Sequence, residues 1–231
     1  MTAIDPALAR LVEAASLHVA FDGWSAATLK AAAADLGITP EAAHALAPRG
    51  GVDLAAAAHR MGDAAFADRF AAEDLTALRL REKIALALRT RLSVIEDRES
   101  VRAATTLFAL PHHAAQGAAL IWGTADAVWN AVGDTAQDGN WYSKRATLSA
   151  VWGAVVLYWL GDDSEGYADT HAFIDRRIAD VMAFEGAKAK LRASPLFGPL
   201  TAPLGRIMAG IKAPAARDDL PGRWDLPRKD A

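Results

Sequence analysis

The chain has 231 residues, 52 % apolar and 23 % charged, with a net charge of −3 and no cysteine. These totals describe an ordinary folded globule of one large or two small domains. They exclude disulfides, thiolate nucleophiles, zinc–thiolate sites and iron–sulfur ligation, and the acidic balance lacks the basic footprint that nucleic acid requires.

The start, MTAIDPALARLVEAASL, has neither the basic opening nor the apolar core of a signal peptide. Almost everything after it reads as helix, rich in Ala, Leu, Arg and Glu, with no alternating strand pattern. Asp5-Pro6 is a cap-then-proline start for a first helix that carries Leu8, Leu11, Val12 and Ala15 on one face. Ser25 caps a second helix, ending at Leu36-Gly37. Thr39-Pro40 opens a short third helix, closed by Pro48-Arg49-Gly50-Gly51, and Asp53 is expected to cap a fourth with Leu54, Ala58 and Met61 inward. Further helices are expected from Asp74 to Ile95, Arg98 to Leu110, Ala115 to Val132, Trp141 to Leu160 and Tyr167 to about Leu191. From Ser194 onward prolines accumulate, and the last stretch is expected to be disordered. The most apolar window, Leu148 to Leu160, is shorter than the roughly 20 residues of a membrane span, so any membrane contact is expected to be peripheral.

The three short N-terminal helices with a glycine-containing turn look like a helix-turn-helix. Followed by a larger helical domain, they resemble the TetR regulator architecture. A recognition helix carries Arg, Lys, Asn or Gln toward phosphates and base edges. The candidate here, TPEAAHALAPRGG, has only His44 and a terminal Arg49. The region is net negative, so no nucleic-acid partner is expected, and a ligand-responsive transcriptional regulator is the alternative reading.

The centre of the chain is more specific. Five of the seven Trp lie between Ala118 and Met182, around an acidic turn, GDTAQDGNWYSKR. The segments GDTAQDGNWYSKRATLSAVW and YWLGDDSEGYADTHAFIDRRIADVM resemble the Coq-nine family of ubiquinone-biosynthesis accessory proteins in wording and order. HVAFDGWSAATLKAAAADLGI and LRLREKIALALRTRL resemble it too, so the likeness runs from about Ala15 to Leu191. The resemblance implies an all-α, TetR-like homodimer that has lost DNA binding, holds a lipid in its larger domain and catalyses nothing itself. It implies a bound isoprenoid quinone precursor or phospholipid, and no cofactor or metal. The implied partner is a quinone-ring hydroxylase, the di-iron Coq-seven type or a functional equivalent. The family's surface patch matches Asp138, Trp141 and Tyr142, and its aspartates match Asp134 and, less closely, Asp126. This chain reads DGNWY where the family pattern is DFNWY, so Gly139 removes one apolar contact from the patch.

The residues themselves support a docking surface at this turn. Adjacent helix positions diverge by about 100°, so Trp141 and Tyr142 cannot both point inward. Aromatics in a charged rim are typical interface anchors, and Asp134, Asp138, Trp141, Tyr142 and Arg145 form the candidate partner-binding set. Trp122, Trp129, Leu148 and Trp152 form the candidate lipid-binding set, since a pocket for a long lipid needs bulky apolar walls. For Trp122 and Trp129 the competing reading is core packing, with Asp126 paired. For Trp152 and Trp159 the preferred reading is domain core and dimer face. Phe173, Ile174, Arg177, Ile178, Val181 and Met182 are expected on the second dimer helix, with Glu165 or Asp169 as partner of Arg177. Leu196, Leu200, Leu204, Ile207, Met208 and Ile211 recur close to every fourth residue near basic side chains. They form the candidate membrane-contact segment, placing the protein in the cytoplasm on the inner face of the membrane. The expected division is 1–52 degenerate helix-turn-helix, 53–192 lipid-binding and dimerisation domain, 193–213 membrane contact and 214–231 tail. Asp162, Asp163 and Glu165 read as a solvated turn rather than a cation site. No acid, base and nucleophile set assembles in the sequence.

Overall fold

The structure, a computed structural model, describes residues 4–135 and 139–193. All regular structure among them is helical: α1 (Pro6–Asp22), α2 (Ala26–Asp35), α3 (Pro40–Leu46), α4 (Gly51–Phe70), α5 (Leu80–Ser93), α6 (Arg98–Ala109), α7 (Ala114–Ala131), α8 (Gly139–Trp159), a 3₁₀ turn (Glu165–Tyr167) and α9 (Ala168–Ala193).

The first three starts follow from local chemistry. Asp5 Oδ1 accepts from the Ala7 amide, Ser25 Oγ from Thr28 and Thr39 Oγ1 from Ala42. Each satisfies an amide that the helix leaves without a partner. Two expected starts fail. Asp53 does not cap α4: Gly50, at φ 63°, precedes the helix, and Asp53 in its first turn takes the amide and side chain of Arg49. Asp74 does not open α5: its carboxylate closes a turn on the amide and hydroxyl of Thr76. The helix starts at Leu80, where Glu82 reaches back to the Arg79 amide.

Two cores result. α1, α2, α3 and the first half of α4 bury Leu11, Val12, Trp24, Leu29 and Leu54, with Leu107 and Phe108 of α6 packed alongside. α5, α7, α8, α9 and the second half of α4 bury Phe66, Phe70, Leu88, Trp129, Leu148, Trp152, Val155, Trp159 and Ile174. α4 is continuous through both, so the expected boundary at 52/53 falls in its first turn, not in a linker. The expected segments beyond Ala193 lie outside the described residues.

The residues expected on the α9 dimer face divide between core and surface. Ile174 and Ile178 are buried in the protomer's own core. Met182 of that set is exposed, as are Leu157, Tyr158 and Phe184, and Tyr158 stacks on Phe173 at 4.3 Å. Arg177 pairs with Asp180, one turn along the helix, rather than with Glu165 or Asp169. No described helix is long and apolar enough to cross a membrane.

Candidate functional site

The site is built where α7 ends and α8 begins. Gly133, at φ 83°, turns the chain out of α7. Its amide reaches the Asn130 carbonyl and the Asp134 amide reaches the Trp129 carbonyl, a Schellman closure that brings Asp134 back beneath the helix end. α8 then presents Trp141, Tyr142, Lys144 and Arg145 in its first two turns.

The Arg145 side chain is only 1 % exposed. Its Nε donates to Asp126 Oδ1 at 2.6 Å, Nη1 to Asp134 Oδ2 at 3.2 Å and Nη2 to Asn130 Oδ1 at 3.2 Å. Its guanidinium lies 3.9 Å from the Trp141 ring centroid. Asn130 Nδ2 donates to the other Asp126 oxygen at 3.1 Å. Lys144 Nζ donates to Asp134 Oδ1 at 2.6 Å and lies 5.0 Å from the Trp129 ring, whose Nε1 donates to the Lys144 carbonyl at 3.1 Å. Two cations and two carboxylates therefore interlock, as a buried guanidinium requires.

Above this network sit three half-buried aromatics. Trp141 meets Tyr142 edge-on at 4.7 Å, and Trp122 from α7 lies 6.0 Å from Trp141 and 6.4 Å from Tyr142. Trp141 and Tyr142 are thus both half-buried, neither fully inward nor fully exposed. Arg145 and Asp134 correct the expected set: both side chains are buried, so they support the patch from beneath and offer a partner no contact surface. Asp138 lies outside the described residues.

The candidate lipid set divides. Trp122 belongs to the aromatic patch, while Trp129, Leu148 and Trp152 are packed in the larger core. None of the four lines the cleft between α4 and α7, a hollow of about 320 Å³. Small residues such as Ala67, Gly123 and Ala127 form its walls, with Phe70, Asp126 and Asn130. The candidate membrane-contact residues Leu196, Leu200, Leu204, Ile207, Met208 and Ile211 lie outside the described residues.

A second polar cluster was not anticipated. Arg91 Nε donates to Asp63 Oδ1 at 2.7 Å, and Thr124 Oγ1 donates to the same oxygen at 2.9 Å. Both ionic side chains are buried. His59 Nε2 bonds the Thr124 hydroxyl at 2.8 Å, and burial pushes its pKa down to about 4, against the nearby Asp63 carboxylate. The i, i+4 spacing of His59 and Asp63 is visible in the sequence; the approach of Arg91 and Thr124 is not. Asp162 likewise leaves the solvated turn for a buried position. Hydrogen bonds from Ser164 and Thr170 hold it well below the usual carboxylate range. Among the described residues no group of three His, Cys, Asp or Glu could hold a metal ion.

This same region matches known proteins. The COQ9 family model matches residues 114–185, spanning α7, α8 and most of α9. The mitochondrial ubiquinone biosynthesis protein COQ9 of Homo sapiens is 31 % identical over 103 residues, 45 % of this chain and 31 % of that protein. The probable Dictyostelium discoideum counterpart is 34 % identical over 111 residues, 47 % of this chain and 36 % of that protein. The Drosophila melanogaster COQ9 is 25 % identical over 187 residues, 79 % of this chain and 57 % of that protein. The chain thus spans about a third of the length of the first two relatives and rather more of the third. A TetR transcriptional regulator from Nitrosomonas europaea shares the fold at a TM-score of 0.60 and 22 % identity, covering 76 % of this chain and 97 % of its own. With the signature turn and both flanking helices inside the matched region, the chain is similar to the COQ9 family over residues 114–185 and is built on a TetR-like fold.

Proposed function

We propose that the chain is a non-catalytic accessory protein of ubiquinone biosynthesis that binds an isoprenoid lipid and presents a quinone intermediate to a ring hydroxylase. The observation that carries this reading is the half-buried Trp141–Tyr142 pair, backed by Trp122 and set on a neutralised polar base within the family-matched region. Aromatic anchors of this kind supply large contact area with few rotatable bonds, as hot spots do. The partner is a di-iron Coq-seven-like hydroxylase or a functional equivalent, and chemistry belongs to it. The chain acts as a homodimer through the exposed apolar residues of α8 and α9. It meets the inner face of the membrane through the segment 193–213.

The nucleic-acid alternative draws on the fold alone. α3 offers Glu41 and His44 to solvent, and the adjacent Arg49 is committed to Asp53 and Gln116.

The test is Trp141→Ala combined with Tyr142→Ala. The reading expects a folded protein that no longer captures the organism's own hydroxylase in a purified two-component binding assay. Capture at unchanged affinity would overturn it. Native mass spectrometry of the purified protein, with extraction of bound lipid, tests the ligand: isoprenoid quinones or their precursors are expected, and a lipid-free protein would remove the presentation step.

A further inference from the structure

We propose that Arg145, which a partner cannot reach, is the positioning residue of the docking surface and fixes the pose of the half-buried Trp141 ring. The inference rests on the docking reading above.

The geometry assigns Arg145 two tasks. Its three nitrogens address Asp126, Asn130 and Asp134, which come from the end of α7 and the turn after it. Its flat face meets Trp141 at 3.9 Å, from its own helix. It therefore joins the angle between α7 and α8 to the orientation of a single aromatic ring. Trp141 in turn sets Tyr142 through their edge contact at 4.7 Å. A ring that already sits in its bound pose loses less conformational freedom on association, so a rigid support translates into affinity.

The chemistry is specific to arginine. Only a planar fork addresses three acceptors and still offers a face to an indole. Lysine keeps the charge and reaches one carboxylate, but leaves the other acceptors unmatched and Trp141 without its plate. Lys144 does not replace it, because its ammonium is bound to Asp134 on the Trp129 side. Among the described residues, Arg145 and Lys144 are matched by Asp126 and Asp134 beneath the rings.

The test uses the full chain labelled with 5-fluorotryptophan, with the Trp141 resonance assigned by Trp141→Phe. Two variants are compared: Arg145→Lys, and Asp126→Asn, which weakens the anchor from a partly exposed position. In both, the far-UV spectrum is expected to be retained while the Trp141 fluorine signal shifts or broadens. Affinity for the purified hydroxylase is expected to fall about tenfold, or about 1.4 kcal/mol. Trp141→Ala added to either variant should then cost less than it does alone, because both act through one ring. An unchanged Trp141 signal in Asp126→Asn overturns the inference even if Arg145→Lys fails to fold. Additive losses in the double variants also overturn it. If Trp141→Ala with Tyr142→Ala leaves docking intact, the docking reading fails, while the fluorine signal still reports whether Arg145 positions the ring.

Discussion

Replacing Arg91 by Met tests the buried polar cluster that links α4, α5 and α7. Arg91 donates to Asp63 at 2.7 Å and to the His59 carbonyl at 3.1 Å, with both ionic side chains buried. Removing it leaves the Asp63 carboxylate with Thr124 as its hydrogen-bond donor and a neutral His59 at 3.7 Å. Breaking one partner of such a pair costs about 3–5 kcal/mol, because an uncompensated charge remains out of water. In a domain of this size that lowers Tm by about 10 °C. Urea unfolding at pH 7.5 reads the loss directly. A second variant separates charge from packing. Asp63→Leu in the Arg91→Met background removes both charges and should recover most of the stability, since apolar replacement of a buried pair is often neutral. The arginine also helps hold His59 neutral, so the Arg91→Met deficit should shrink toward acid pH as His59 takes up a proton beside Asp63. A loss under about 1 kcal/mol, or a double variant no better than the single one, would refute the reasoning.

Three further outcomes are expected. His59 titrates near 4 in the folded chain against 6.5 as its ordinary value. Below pH 6.5 the unfolded chain binds a proton that the native state refuses, so stability is full above pH 6.5 and falls as pH drops toward 4. The loss approaches 3 kcal/mol as an upper bound of about that size, and His59→Gln should flatten this window in urea titrations at pH 7.5 and 4.5. Gly51→Ala should destabilise by about 2–3 kcal/mol, because a Cβ there would lie 2.3 Å from the Trp24 carbonyl carbon and oxygen, which are backbone and cannot swing away; chemical denaturation measures it. If the proposed homodimer pairs through the exposed apolar residues of α8 and α9, Leu157→Asp combined with Met182→Asp, both exposed, should yield a folded monomer by light scattering, and an unaltered oligomeric state would refute that interface.

Much of the architecture was readable because its signals are local. Asp5, Ser25 and Thr39 cap their helices through atoms two or three residues away, and those contacts need no tertiary context. The angle between neighbouring helix positions likewise keeps Trp141 and Tyr142 from both being fully buried, and both are half-buried. Where local chemistry allows two outcomes, the reading failed. Asp53 and Asp74 have the side chain of a cap, but one is held by Arg49 inside a helix begun by a glycine, and the other closes a turn. Helical periodicity marked Trp129, Leu148 and Trp152 as apolar, yet it cannot tell a cavity wall from a packed interior. It also put Ile174 on a dimer face of α9, whereas Ile174 is buried in the protomer's own core and Phe184 faces solvent.

By itself the sequence determined the all-helical class, most helix starts, the missing recognition chemistry in α3 and the aromatic turn that carries the family likeness. Only the tertiary structure decided that Arg145 and Asp134 are buried at that turn, that Trp122 joins it, and that Asp63 and Arg91 form a buried pair between α4 and α5. The physical reason is distance along the chain. Caps and periodic faces depend on neighbours within one or two turns, whereas burial of a charge depends on acceptors brought together from different helices.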